Sequence, residues 1–198
     1  MKKSLKNLLF GKEYDKQVAF VGLANAGKTT IVKRLKESPQ DELNTKYVPT
    51  MGLSMERFSL GGTEVIAADL GGQKSFRESF WKPLVEKSSA VCFVFDSADL
   101  DKVKEAGDVL QIVLSWVLPD STFLFLANKK DLENALELEE IIARLGLREK
   151  IKQHPHSFGV YQVSALTGEG MEESFEWLSQ QLFKDHTTDE TGMEGKST

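Results

Sequence analysis

The sequence predicts an α/β fold: a mostly parallel sheet of about six strands, one antiparallel edge strand, and helices on both faces. Three observations predict it. Short apolar runs alternate with segments whose apolar residues recur at helical spacing. The runs at 18–21, 90–95 and 122–127 are nearly continuous rather than alternating, so both of their faces should be covered. Finally, Gly61-Gly62 separates the segments 53–60 and 63–69, a two-residue signal for a tight hairpin.

Residues 18–21 form the first strand, and 29–36 follow as a helix. The hairpin comes next and supplies the antiparallel edge. Segment 75–86 contains Pro83 and reads as irregular or helical. After the strand at 90–95, Val103, Ala106, Val109, Leu110, Val113, Leu114 and Val117 recur at helical spacing. Beyond the strand at 122–127, Leu138, Ile141, Ile142 and Leu145 mark a helix that Gly146 can stop. A strand at 159–163 and a helix carrying Met171, Phe175, Leu178 and Leu182 complete the pattern.

The chain has 198 residues and a net charge of −5, which fits one domain and implies no broad basic surface for nucleic acid. The lone Cys92 lies inside an apolar run and reads as a buried strand residue in a reducing, cytoplasmic compartment. No apolar stretch approaches the roughly 20 residues that span a bilayer. The expected organisation is an N-terminal helix and linker at 1–14, a globular domain at 15–184, and an acidic, disordered tail at 185–198.

Gly22-Leu23-Ala24-Asn25-Ala26-Gly27-Lys28-Thr29 fits G-x-x-x-x-G-K-[ST] between a strand and a helix. Glycines there let backbone N–H groups wrap phosphate oxygens, and the helix N-terminus adds positive potential. Ala24, Asn25, Ala26, Gly27 and Thr30 belong to this cradle. Lys28 would bridge the β- and γ-phosphates, and the Thr29 hydroxyl would hold Mg²⁺, a hard ion that prefers oxygen.

Asn128-Lys129-Lys130-Asp131 directly follows a strand and matches N-K-x-D, which selects guanine. The Asp131 carboxylate can accept from guanine N1–H and the 2-amino group together. Adenine would leave that carboxylate unpaired, and sites of that kind discriminate by roughly 10⁴ or more. Asn128 would bond N7 and nearby loop backbone, and the Lys129 stem would cover the purine face. In Ser164-Ala165-Leu166 the Ala165 N–H would reach guanine O6.

Asp69-Leu70-Gly71-Gly72-Gln73 follows the hairpin's second strand. Asp69 would hold Mg²⁺, the Gly72 N–H would contact the γ-phosphate, and Gln73 would orient the attacking water. Thr50 would close on Mg²⁺ and the γ-phosphate. Thr29, Thr50 and Asp69 are thus the expected metal ligands, and Gln73, Lys28 and Thr50 the catalytic set. Loss of the γ-phosphate would release both segments, giving a GTP/GDP switch.

Together with Pro49-Thr50-x-Gly52 and Trp81, these motifs resemble the Arf/Sar group of small GTPases over roughly residues 5–184. The double glycine before Gln73 and the short interval from Thr50 to Asp69 favour Arf-like over Ras-like proteins. The resemblance implies slow GTP hydrolysis, an exchange factor, a GAP and effectors. It also implies an N-terminal amphipathic helix that GTP binding expels onto a membrane, as in vesicle trafficking, driven by a register shift of the hairpin. A slip of two residues would keep the same side chains facing the core. Met1, Leu5, Leu8 and Leu9 share one helical face, with Lys2, Lys3 and Lys6 beside it and Phe10 off it, which leaves two readings, reversible membrane contact through residues 1–10 or a helix merely docked on the domain.

There are departures. Lys2 stands where a myristoylated Arf carries glycine, and no C-terminal prenylation box is present. Ala24 replaces the usual aspartate of Arf relatives, which bears on the response to a GAP. Tyr47 stands where heterotrimeric G-protein α subunits supply an arginine in cis, so an arginine from a partner, able to contribute about 10³–10⁵ in rate, is expected. His154-Pro155-His156 lacks neighbouring ligands and is a weak metal signal. Phe80 and Trp81 are expected to pack under the second switch, and the resemblance also implies partial exposure in one nucleotide state, where they would serve partners. The competing readings are a nucleotide-dependent binding module with negligible hydrolysis and a nucleotide-using phosphotransferase.

Overall fold

The computed structural model describes residues 16–36, 53–60, 63–70, 80–154 and 157–184. Its strands are β1 (Lys16–Val21), β2 (Leu53–Leu60), β3 (Thr63–Leu70), β4 (Ala90–Asp96), β5 (Thr122–Asn128) and β6 (Phe158–Gln162). Its helices are α1 (Lys28–Lys36), α2 (Lys82–Val85), α3 (Val103–Leu114), α4 (Leu138–Leu145), α5 (Leu147–Gln153) and α6 (Met171–Leu182).

The strands make one six-stranded sheet in the order β2-β3-β1-β4-β5-β6. All neighbouring pairs are parallel except β2 with β3. The antiparallel edge is therefore where the sequence places it, with Leu60 opposite Thr63 across the turn. Gly61-Gly62 itself lies outside the described residues, as do 1–15, 37–52, 71–79, 155–156 and 185–198.

Side chains alternate across each strand. Val18 and Phe20 of β1, Cys92 and Val94 of β4, and Leu124 and Leu126 of β5 join one buried cluster with Ile31 of α1 and Phe175 and Leu178 of α6. Their neighbours Ala19, Val21, Val91, Phe93, Phe123 and Phe125 join the other, with α3, α4 and Leu147 of α5. This double coverage is why the strands read as continuous apolar runs. Each fully buried phenylalanine, such as Phe20, Phe93, Phe123 and Phe125, contributes about 1.5–3 kcal/mol by burial.

Strand ends differ from the sequence reading by one or two residues, as in β1 and β6, and two helical segments depart from it further. The α3 stripe runs to Val117, but the helix ends at Leu114 and Val117 is buried from the following turn. Gly146 does stop α4, with a left-handed φ of 61°, yet α5 begins at the next residue. The seven-residue α5 is too short to show a stripe.

Because five strands run parallel, their carboxyl ends lie on one edge of the sheet. The strand order reverses at β1, between β3 and β4, which is where such sheets bind ligands.

Candidate functional site

The phosphate loop leaves β1 at Gly22, whose φ is 142°. A Cβ there would lie 2.1 Å from the Val94 carbonyl oxygen, so the loop can cross β4 only with glycine. Asn25 and Gly27 are left-handed, with φ of 65° and 95°, and turn the backbone into a concavity suited to an anion. At Gly27 a Cβ would meet Asn128 Nδ2 at 2.2 Å. The helix then starts: Ile31 N–H donates to Gly27 O at 3.0 Å, and the first turn carries no acid. Lys28 is only 6% exposed. Its Nζ donates to Gly22 O at 3.1 Å and Leu23 O at 2.9 Å, which holds the ammonium across the loop. Thr29 is half-buried and Thr30 buried, while Ala24 is partly exposed and Ala26 covered.

Asn128 ends β5 and is buried. Its Nδ2 donates to Ala26 O at 2.8 Å, and its Oδ1 accepts from Ala165 N–H at 2.9 Å. One side chain thus joins the phosphate loop to the loop after β6. The Ala165 N–H is on Asn128 here, and a guanine O6 placed beside it would share that donor. The buried Ser164 Oγ donates to Asp131 Oδ1 at 2.5 Å and accepts from Thr167 N–H at 3.0 Å. Lys129 has a left-handed φ of 69°, and its Nζ sits 2.6 Å from Asp96 Oδ2. That pair stretches the lysine stem across the loop. Leu166 is exposed at the rim.

The structure therefore brings together the phosphate loop, Asn128, Lys129, Asp131, Ser164 and Ala165. Asp69 lies opposite Phe20 in the β3–β1 register, close to the start of the phosphate loop. Thr50, Gly72 and Gln73 lie outside the described residues. Trp81 is 0% exposed in the core beside Val85. Phe80 is 45% exposed, because with Trp81 turned inward its neighbour in the chain points outward.

Sequence reasoning missed three contributors. Asp96 could have been noticed as an acid at a strand's carboxyl end, paired in register with Asn128. Lys130 pairs with Glu169 across the two loops. Arg34, on α1, donates from Nη1 to Ala165 O at 3.3 Å and Leu166 O at 2.8 Å, and from Nη2 to Thr167 O at 3.0 Å. No local pattern announces so distant a contact.

Comparison with known proteins decides the family. The model of the ADP-ribosylation factor family matches residues 1–182. The chain belongs to the ADP-ribosylation factor family. ADP-ribosylation factor-like protein 2 of Drosophila melanogaster is 37% identical over 174 residues, covering 87% of this chain and 90% of that protein. ADP-ribosylation factor-like protein alp41 of Schizosaccharomyces pombe is 35% identical over 172 residues, covering 86% and 88%. The Arl6 BBS3 small GTPase of Trypanosoma brucei, solved with the nucleotide analogue GppNp, matches with a TM-score of 0.74 at 30% identity, covering 86% of this chain and 98% of that one. As an Arf-family small GTPase the chain is a GTP hydrolase that binds GTP or GDP with Mg²⁺. The cradle at Gly22 and Gly27 fits a phosphate chain, and a threonine hydroxyl such as that of Thr29, at the start of α1 beside the cradle, is the oxygen type that Mg²⁺ takes.

Proposed function

We propose that this Arf-family GTPase is a switch whose GTP state brings effectors to a membrane. The carrying observation is the preassembly of the phosphate and base loops by Asn128, with bonds to Ala26 O and Ala165 N. These loops meet the parts common to GDP and GTP. Sensing of the γ-phosphate then falls to Thr50, Gly72 and Gln73. Gly72 and Gln73 closely follow β3, whose edge-strand partner β2 pairs, among the described residues, with β3 alone.

Within this reading Lys28 neutralises charge on the β- and γ-phosphates, and the Gly72 N–H and Thr50 close on the γ-phosphate. Gln73 orients the attacking water in line with the leaving oxygen. Mg²⁺, held by Thr29, Thr50 and Asp69, would supply charge neutralisation on the phosphate oxygens. Asp131 reads the guanine N1–H and 2-amino group, Asn128 reaches N7, and Lys129 lies over the purine.

Among the described residues no helix is long and apolar enough to cross a membrane. Membrane contact would instead come from residues 1–10, with apolar side chains entering the interface and lysines meeting anionic lipid. Exchange factor, GAP and effectors would act on the two states, and trafficking is the process such recruitment serves in the family.

The test is co-flotation with liposomes of the full chain loaded with GDP or a non-hydrolysable GTP analogue, beside a variant lacking residues 1–12. GTP-selective flotation that is lost on truncation supports the membrane switch. No flotation in either state, with guanine-nucleotide binding confirmed, would sink it and leave a switch acting through protein partners alone.

A further inference from the structure

Arg34 lies at the far end of α1 from Lys28, six residues along. At 1.5 Å per residue this is about 9 Å down the helix axis. Arg34 itself is half-buried. Its guanidinium donates to three successive carbonyls, Ala165 O, Leu166 O and Thr167 O. A trans peptide points its N–H opposite its C=O. Drawing these carbonyls toward Arg34 therefore turns the N–H groups of Leu166, Thr167 and Gly168 the other way. Two of those N–H groups converge on Ser164: Thr167 N–H donates to Ser164 Oγ at 3.0 Å, and Gly168 N–H to Ser164 O at 2.8 Å. The same Ser164 hydroxyl donates to Asp131.

A second feature fits this grip. Gly168 has a φ of +92°, and a Cβ there would stand 2.4 Å from Arg34 Nη2 and 2.9 Å from Cζ. The turn thus has both the conformation and the bare surface that admit a guanidinium. A planar fork with five donors can engage several carbonyls at once, whereas a lysine ammonium is a compact point on a flexible stem.

We infer that Arg34 is a positioning residue for guanine selectivity, holding the turn that fixes Ser164 and, through Ser164, the Asp131 carboxylate. Asp131 is exposed in the loop that follows β5, so without that restraint its carboxylate would sample other rotamers and meet the base less often. Because Arg34 and Lys28 share one helix, the base loop is also registered to the phosphate loop. The inference rests on Asp131 as the proposed reader of guanine.

The experiment compares GDP with IDP, which lacks only the 2-amino group, by competition against a fluorescent GDP analogue. The full chain, Arg34→Met and Arg34→Lys are measured, with thermal melting alongside. The unmutated protein should prefer GDP. Arg34→Met should bind GDP roughly tenfold more weakly and IDP less affected, so that the GDP-to-IDP ratio falls, and Arg34→Lys should recover part of that ratio. Parallel losses for both nucleotides, or an unchanged ratio, would overturn the inference, since a merely structural role lowers melting temperature without altering base selectivity. If Arg34→Met does not fold, Gly168→Ala displaces the guanidinium while keeping its donors and should reduce the ratio, and an unchanged ratio there overturns the inference too. Equal binding of GDP and IDP by the unmutated protein would overturn the assignment of Asp131 itself, and the inference with it.

Discussion

Replacing Asn128 by alanine should damage the protein even without nucleotide, because its two bonds are made within the chain. The Nδ2 bond to Ala26 O and the Oδ1 bond from Ala165 N–H are short, at 2.8 and 2.9 Å. Both backbone partners belong to buried residues. Truncation leaves one buried acceptor and one buried donor unsatisfied, each costing about 1–3 kcal/mol. Water entering the vacated volume would recover part of this, so a loss of about 2–5 kcal/mol is expected. Domains of this kind have about 5–15 kcal/mol in total, so the nucleotide-free variant should approach its unfolding limit. GDP at a thousand times its Kd would restore about 4 kcal/mol, less if its affinity falls as well. Asn128→Asp is the sharper probe. It can still accept from Ala165 N–H but sets a carboxylate oxygen against Ala26 O, and should cost more than alanine. Urea unfolding of nucleotide-free and GDP-saturated protein measures both effects. A loss below about 1 kcal/mol for nucleotide-free Asn128→Ala, or an aspartate variant as stable as the parent, would refute the bridging role.

Other expectations can be checked more briefly. Gln73→Leu should retain GDP affinity while single-turnover GTP hydrolysis slows by about 10²-fold, the scale of losing one positioned group; unchanged hydrolysis would remove Gln73 from catalysis. Gly22→Ala drives a Cβ to 2.1 Å from Val94 O, a backbone atom of a central strand. It should cost about 3 kcal/mol or more, seen as a lowered melting temperature together with lost nucleotide binding. Burial pushes the Cys92 thiol far above its ordinary range. The folded state therefore keeps a proton that the unfolded chain releases in alkali. Stability should fall as pH rises above the ordinary thiol pKa in the parent and fall less steeply in Cys92→Ala, by up to about 1.4 kcal/mol per pH unit. The thiol should also resist a disulfide reagent at pH 8 until the protein unfolds.

Much of this fold was legible because strands walled on both faces, such as β4 and β5, must be apolar along their whole length. Long helices show in their spacing for the complementary reason, since α3 and α6 bury one stripe each. What escaped was short or distant. Helix α5 offers only Leu147 and Ile151 as apolar contacts one turn apart, which no period search can distinguish from a loop. The site motifs were legible because phosphate and guanine chemistry demand particular residues at fixed spacing. The ties between motifs were less so. Asn128 was expected to touch loop backbone, but its hold on both loops depends on how β5 sits beside β6 and, across β4, one strand removed from β1. Arg34 and Asp96 act through residues remote in sequence, and their types alone carry no message.

The sheet also partitions the consequences of damage. The face carrying Phe20, Ile31 and Phe175 packs under α1, the helix that opens with Lys28, and takes in Ala26 and Ala165 of the nucleotide loops, whereas that carrying Phe123, Leu110 and Ile141 lies under α3 and α4. Conditional alleles should therefore fall into two groups. Lesions in the first layer would release nucleotide at temperatures where the chain is still folded. Those in the second would retain it until the whole domain melts. A heat-sensitive phenotype rescued by excess GTP would then report which side of the sheet had been hit.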